Sequence, residues 1–247
     1  MVDEKVIMNK LAELETHFVL VHGIGSGGWS WFKIRALLEE AGCKVSCPDL
    51  KSAGIDPTDV NSIHTLEEYD QPLIDLLSTS ENERIILVGH SAGGISLTHM
   101  IHKFPKKIHT AVFVAATMLR NGFLTDSDCK DGLPDCSELT EFMITEKAFH
   151  MCSRQDKTLA SSLQKPGPML ALQNAKFEAD EGVDEVRRVY VKTKQDLLLT
   201  PEQQDAMVKK WLPASSTTLD SDHCPHLSKP CELFHTLIII AAKGIIT

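Results

Sequence analysis

Short runs of apolar and β-branched residues alternate along the chain with longer segments whose apolar positions recur at helical spacing. Alternation of this kind predicts βαβ units, which build a mostly parallel sheet covered by helices on both faces. The runs typical of strands are residues 17–22, 44–47, 84–88, 110–116, 187–193 and 216–219. The segments typical of helices are residues 31–42, 66–77, 92–104, 201–211 and 232–243. The sequence therefore predicts an α/β fold with about six strands.

Residues 118–185 interrupt this alternation, because they show no strand pattern and carry aromatic and methionine residues among charged and turn-forming ones. We interpret them as a helical cap inserted into an α/β core whose two parts are residues 1–117 and 186–247. The candidate substrate contacts in the cap are Phe123, Phe142, Phe149 and Met169. At helical spacing the same side chains can equally form the core of the cap.

A G-x-S-x-G pattern spans residues 89–93, directly after one predicted strand and at the start of the next helix. This strand–turn–helix context is the one that a nucleophile elbow requires. The flanking Gly89 and Gly93 leave room for the crossing backbone, and the helix N-terminus adds N–H groups and partial positive charge. Ser91 is therefore the predicted nucleophile.

A serine hydroxyl attacks only when a base removes its proton and a carboxylate orients that base. Around such an elbow the chain order is Ser, then Asp or Glu, then His, each at the end of a later strand. Asp196 follows the fifth predicted strand and His223 follows the sixth, so they are the predicted orienter and base. His226, just beyond His223, and Asp205, within a helix, are competitors. A packing or surface role is expected for His64, His99, His102, His109, His150 and His235.

The tetrahedral intermediate of acyl transfer needs two N–H donors aimed at its oxyanion. One is expected from the backbone of Ala92, directly after the nucleophile. The other is expected from the glycine-rich loop after the first strand, where we choose the N–H of Ile24 over the alternative of a simple glycine turn. Trp29 and Trp31, which follow this loop, are expected to pack.

The composition excludes several classes of partner and cofactor. The net charge is −9, from 34 acidic and 25 basic residues, and an anionic surface repels nucleic acid. The seven cysteines are scattered and odd in number, so we expect neither a disulfide framework nor a zinc site. The chemistry of a serine nucleophile requires no metal or organic cofactor.

Two features bear on the compartment. The first residues, MVDEKVIMNKLAELE, are charged and lack the apolar run of a signal peptide, and the longest apolar run, residues 237–242, is too short to span a bilayer. We expect a reduced, cytoplasmic protein without a membrane partner. The oligomeric state stays open, with a homodimer as one candidate.

Six segments of the chain resemble the plant methylesterase and hydroxynitrile lyase branch of the α/β-hydrolase superfamily. They are HFVLVHGIGSGGWSWFK (17–33), LEEYDQPL (66–73), ILVGHSAGG (86–94), LQKPGPMLAL (163–172), RRVYVKTKQD (187–196) and LDSDHCPHLSKP (219–230). Several look most like the members that cleave the methyl ester of indole-3-acetic acid, and other members demethylate alkaloid intermediates such as polyneuridine aldehyde. The resemblance implies a serine esterase with the triad Ser91, Asp196 and His223 and with Ile24 and Ala92 as oxyanion donors.

The residues at two positions distinguish an esterase from a lyase. The cyanogenic lyases of this branch carry a threonine where Gly23 stands and a lysine where Cys224 stands. Neither residue of this chain supplies a hydroxyl or a cation, so the lyase is disfavoured. A ligand receptor on the same fold is a further alternative, whereas a dehalogenase would need an acidic residue in place of Ser91. The sequence thus predicts hydrolysis of a small apolar methyl ester, a hormone ester or an alkaloid intermediate, through an acyl-enzyme.

Overall fold

The computed structural model of the 247-residue chain describes Met8, Leu11 and residues 13–81, 84–122, 146–178 and 182–243. These residues form a six-stranded sheet in the order β2-β1-β3-β4-β5-β6, and every neighbouring pair of strands is parallel. The α/β fold predicted from the sequence is therefore confirmed. The strands are β1 (Thr16–Val21), β2 (Lys44–Ser46), β3 (Arg84–His90), β4 (Ile108–Val114), β5 (Arg187–Thr193) and β6 (Ser215–Leu219).

Helices surround the sheet on both faces, and two turns of 3₁₀ helix, Gly28–Trp31 and Val60–Ser62, lie in the connections. The helices in the described ranges are α1 (Phe32–Glu40), α2 (Leu66–Tyr69), α3 (Gln71–Thr79), α4 (Gly93–Lys103), α5 (Arg154–Leu163), α6 (Met169–Gln173), α7 (Pro201–Lys210), α8 (Pro225–Ser228) and α9 (Pro230–Lys243).

The core lies in two apolar layers, one on each face of the sheet. Successive strand residues point to opposite faces, so Val19 and Val21 of β1 belong to one layer and Phe18 and Leu20 to the other. Helices α2, α3, α4 and α7 cover the first layer, and α1 and α9 cover the second. Because both faces are buried, the strands read in the sequence as short apolar runs.

One predicted helix, residues 66–77, is two helices with a break at Asp70. Pro72 lies in the first turn of the second helix and has no N–H to donate to the carbonyl four residues earlier, which interrupts the helical ladder. The buried Asp70 carboxylate accepts hydrogen bonds from the Ser96 hydroxyl at 2.6 Å and from Nδ1 of His99 at 2.8 Å. These two hydrogen bonds thus connect the junction between α2 and α3 to α4.

The boundaries of the fourth strand also differ from the prediction of 110–116. It starts and ends two residues earlier, at Ile108 and Val114. Ala115 has a φ of 44°, in the left-handed region, which stops the extended conformation.

The predicted division into core and cap stays a prediction. Of residues 118–185, the structure describes α5, α6 and an isolated antiparallel bridge between Gly122 and Lys176, among others. Phe123 and Phe142 lie outside the described residues. No helix among the described residues is long and apolar enough to cross a membrane.

Candidate active site

Ser91 occupies a tight turn between β3 and α4, with a φ of 55°. Gly89 and Gly93, two residues to either side of Ser91, lie in close contacts that leave no room for a side chain. A Cβ at Gly89 would lie 2.5 Å from Cδ1 of Leu97, and a Cβ at Gly93 would lie 2.6 Å from the carbonyl oxygen of His22. The turn therefore holds a non-glycine residue in a left-handed conformation that presents its hydroxyl beyond the carboxyl end of the strand.

The structure brings together the three side chains that the sequence predicts as a triad. Nε2 of His223 lies 2.9 Å from Oγ of Ser91, and Nδ1 of His223 lies 2.7 Å from Oδ2 of Asp196. These residues follow β3, β5 and β6, whose carboxyl ends meet at one edge of the parallel sheet. The carboxylate accepts the Nδ1 proton, which leaves the Nε2 lone pair facing the serine hydroxyl.

Asp196 is buried and has hydrogen-bond donors on both carboxylate oxygens. Oδ1 accepts from the N–H groups of Leu198 and Leu199 at 2.9 and 2.8 Å, and Oδ2 also accepts from the Thr193 hydroxyl at 2.9 Å. Burial disfavours the ionised form, but the His223 ring and the two backbone N–H groups outweigh it and lower the pKa of Asp196. The carboxylate is therefore ionised beside the imidazole at neutral pH.

His90, directly before Ser91, forms a hydrogen bond with the backbone of His223, the predicted base. Its Nε2–H donates to the carbonyl oxygen of His223 at 2.7 Å, and the two rings are 4.8 Å apart. Burial, followed by the nearby rings of His226 and His223, lowers the pKa of His90 well below its usual value. His90 is therefore a neutral donor that joins the nucleophile turn to the His223 loop.

His226, the competing base, occupies a different environment. Its ring lies 4.8 Å from that of Trp31 and 4.4 Å from that of His90, and its Nδ1 makes no hydrogen bond within the described part of the chain. Burial lowers its pKa to about 3. Asp205, the competing carboxylate, pairs instead with Lys192 at 2.9 Å.

The predicted oxyanion donors flank Ser91 in the wall of one cavity. Across the residues that the structure covers, neither the Ile24 N–H nor the Ala92 N–H donates a hydrogen bond, so both are available to a ligand. A Cβ at Gly23 would lie 3.0 Å from Cβ of Ser91, so this loop packs tightly against Ser91.

The cavity has a volume of about 580 Å³ and opens onto the Ser91 and His223 side chains. Phe149 and Met169, two of the four predicted pocket residues, line it. No Asp or Glu is among the described residues of its wall, and Lys165 carries the one formal positive charge there. A mostly apolar wall of this kind suits an apolar acyl group.

The sequence did not predict several residues that line the cavity, nor the hydrogen bond from His90 to His223. Trp29 was expected only to pack, yet it lines the cavity, as do residues 164–167 between α5 and α6. The glycine and proline in that loop were visible in the sequence, but nothing in the pattern relates them to Ser91. His90 reaches a residue 133 positions away, which no local periodicity could show. No group of three potential metal ligands occurs within the described ranges.

The chain is similar to known proteins both in sequence and in structure. Residues 18–236 match the alpha/beta hydrolase family. Methylesterase 17 of Arabidopsis thaliana is 46% identical over 97% of this chain and 96% of its own. The crystal structure of an Arabidopsis methylesterase superposes with a TM-score of 0.82 at 35% identity, covering 92% of this chain and 99% of that one. That of polyneuridine aldehyde esterase superposes with a TM-score of 0.84 at 31% identity, with coverages of 92% and 99%.

Proposed function

The chain belongs to the alpha/beta hydrolase family and within it to the plant methylesterases, which are carboxylic ester hydrolases. We propose that it hydrolyses the methyl ester of a small apolar plant metabolite through an acyl-enzyme. Hormone esters and alkaloid intermediates are the candidate substrates. The observation that carries the proposal is the continuous hydrogen-bonded chain from Ser91 through His223 to Asp196.

In the proposed reaction, Nε2 of His223 takes the Ser91 hydroxyl proton as Oγ attacks the ester carbonyl carbon. Asp196 holds the imidazole and stabilises the positive charge that forms on it. The negative charge on the carbonyl oxygen is received by the N–H groups of Ile24 and Ala92. The C–O bond to the methoxy group then breaks, His223 returns the proton, and methanol leaves.

Deacylation repeats these roles with water. His223 removes a proton from the water as its oxygen attacks the acyl carbon, and the proton passes to the leaving Oγ of Ser91. The products are the free carboxylic acid and the regenerated hydroxyl. The chemistry uses only side chains and backbone N–H groups of this chain.

The lyase alternative finds little support in the residues beside the triad. Cys224 is buried, and burial raises the pKa of its thiol well above the usual value, so it supplies no charge next to His223. Lys33 is engaged elsewhere, with Asp156 at 2.7 Å and the Leu227 carbonyl at 3.0 Å. A departing cyanide would therefore meet no free cation at these positions.

Two assays test the proposal. A fluorophosphonate probe should label the wild-type protein and the Ser161→Ala variant, whose exposed serine lies on α5, but not Ser91→Ala. A panel of methyl esters of indole acetate, salicylate, jasmonate and alkaloid aldehydes, followed by methanol release, should then identify the acyl group. Equal labelling of folded Ser91→Ala would reject Ser91 as the nucleophile. Ligand binding by the wild type without turnover of any ester would reject the esterase in favour of a receptor.

A further inference from the structure

Residues 164–167, in the connection between α5 and α6, run against residues 23–28, the loop that carries the proposed oxyanion donor. The Lys165 N–H donates to the carbonyl oxygen of Gly25 at 2.9 Å. In return, the Lys165 carbonyl oxygen lies over Gly25, where it would be 2.9 Å from an added Cβ. Gly25 has a φ of +74°, so the chain turns sharply at this contact. The two backbones therefore touch at the residue after Ile24.

Gly167 supplies the second contact, with the side chain of Ile24 itself. A Cβ at Gly167 would lie 2.1 Å from Cγ1 and 2.7 Å from Cδ1 of Ile24, and 3.3 Å from the backbone nitrogen of Gly25. The isoleucine side chain thus fills the space that any larger residue at position 167 would need. No alanine can be accommodated at Gly167 unless Ile24 moves.

Contacts within the loop and with the core also hold residues 23–28. At one end the Gly23 carbonyl accepts from Nδ1 of His22 at 2.8 Å and from the Ser26 N–H at 3.2 Å. At the other end the Gly28 N–H donates to the Asp49 carboxylate at 2.6 Å. Within the ranges that the structure describes, the bond from Lys165 is the only hydrogen bond to Gly25, and Ile24 makes none. Residues 164–167 therefore add contacts from outside the loop at Ile24 and Gly25, beside the Ser26–Gly23 turn bond and the packing of Ile24 against the core.

We propose that residues 164–167 act as a positioning segment for the oxyanion hole, holding the Ile24 N–H at the place where negative charge develops. This inference rests on the proposed function. An oxyanion donor works only at about 2.7–3.1 Å from the charged oxygen, and losing one costs roughly 100- to 1,000-fold in kcat. A displaced donor affects the transition state far more than the bound ester, so the segment sets kcat rather than KM.

The test variant is Gly167→Ala. With an ester that the wild type hydrolyses, or with p-nitrophenyl acetate, we expect kcat to fall about 10- to 100-fold while KM changes less than about twofold. Affinity for a trifluoromethyl ketone analogue, which forms a tetrahedral adduct, should fall in parallel, and affinity for the product acid should not. A simple packing defect would not separate these two inhibitors.

Gly182→Ala is the matched control. Gly182 has a φ of 96°, so alanine is strained there, but among the described residues an added Cβ meets nothing nearer than Pro105 at 3.8 Å, away from the cavity wall. We expect this variant to lose some thermal stability and to keep the wild-type kcat. A wild-type kcat in folded Gly167→Ala, or an equal loss of kcat in both variants, would overturn the inference.

Lys165→Pro provides a second variant, because proline lacks the N–H that reaches Gly25. Gln164 already has φ −62° and ψ 143°, the extended conformation preferred before proline. The same loss of kcat at nearly constant KM is expected, and an unchanged kcat would again overturn the inference. If the wild type itself neither reacts with a fluorophosphonate nor hydrolyses any ester, the proposed function fails instead, which distinguishes the two failures.

Discussion

Replacement of Asp196 by asparagine changes the protonation of the triad with almost no change in volume. The N–H groups of Leu198 and Leu199 both point at Oδ1, so the amide oxygen is expected there and the NH₂ group takes the place of Oδ2. That NH₂ group faces Nδ1 of His223 and can only donate. His223 must then accept at Nδ1 and carry its proton on Nε2, where it faces Ser91 and can no longer serve as a base.

The magnitude follows from this tautomer change. The equivalent aspartate-to-asparagine substitution in a serine protease triad lowers kcat about 10⁴-fold, which is about 5.4 kcal/mol of activation free energy. We expect a similar loss here, because both backbone donors keep their acceptor and the geometry is retained. The Thr193 hydroxyl, which donates to Oδ2 in the wild type, then faces the new NH₂ group and must turn to accept from it. The loss of this bond to a charged acceptor should lower the free energy of unfolding by about 1–3 kcal/mol, so the variant still folds.

The assay compares Asp196→Asn with Asp205→Asn, a control on α7 whose carboxylate pairs with Lys192 on the surface. Methanol release and the rate of reaction with a fluorophosphonate should both fall in the first variant and stay near the wild type in the second. Thermal denaturation verifies folding. A folded Asp196→Asn within about tenfold of the wild-type kcat would refute the assignment of Asp196 as the orienting carboxylate.

Two further substitutions test the hydrogen bond from His90 to His223 and the contribution of the Asp56 carboxylate to stability. His90→Phe keeps a ring but removes the donor to the His223 carbonyl. A lost hydrogen bond of about 0.5–1.5 kcal/mol should lower the rate of fluorophosphonate labelling about 2- to 10-fold, and an unchanged rate would contradict this. Burial acts to raise the pKa of Asp56, but hydrogen bonds from Thr58 and Ser52 outweigh burial and lower the pKa to about 2. The ionised carboxylate therefore stabilises the fold at a pH above the ordinary pKa of an aspartate. This contribution disappears as the pH falls through about 2. Asp56→Asn should therefore be less stable than the wild type in urea at pH 7, by about 1 kcal/mol, and about equal to it at pH 2; a constant difference would contradict the sign.

The sheet could be predicted because its strands are buried on both faces. Residues 187–193 were predicted as a strand at the bounds that the structure has for β5. The boundaries that moved depend on local events: Ala115 enters the left-handed region at the end of β4, and Pro72 interrupts the helical ladder at Asp70. The proline was visible in the sequence, but the burial of Asp70 against α4 depends on tertiary contacts.

The residues of the predicted triad could be located by their order along the chain, because parallel strands bring their carboxyl ends to one edge. Ser91, Asp196 and His223 each follow a strand, and a single topology makes them neighbours. The cavity wall could not be located in this way. Its members come from loops such as 164–167 and from Trp29, whose positions are set by packing between segments distant in the sequence.

The burial of His90 and His226 also explains why, in the proposed reaction, His223 is the ring that carries the positive charge. A protonated ring at the 4.8 Å that separates His90 from His223 would oppose the imidazolium by about 3.5 kcal/mol at an effective dielectric constant of about 20, which is more than about a hundredfold in rate. Burial lowers the pKa of both neighbouring histidines, so neither is protonated at neutral pH. Asp196 contacts His223 alone among these three rings, so the positive charge is stabilised at the ring that touches Ser91.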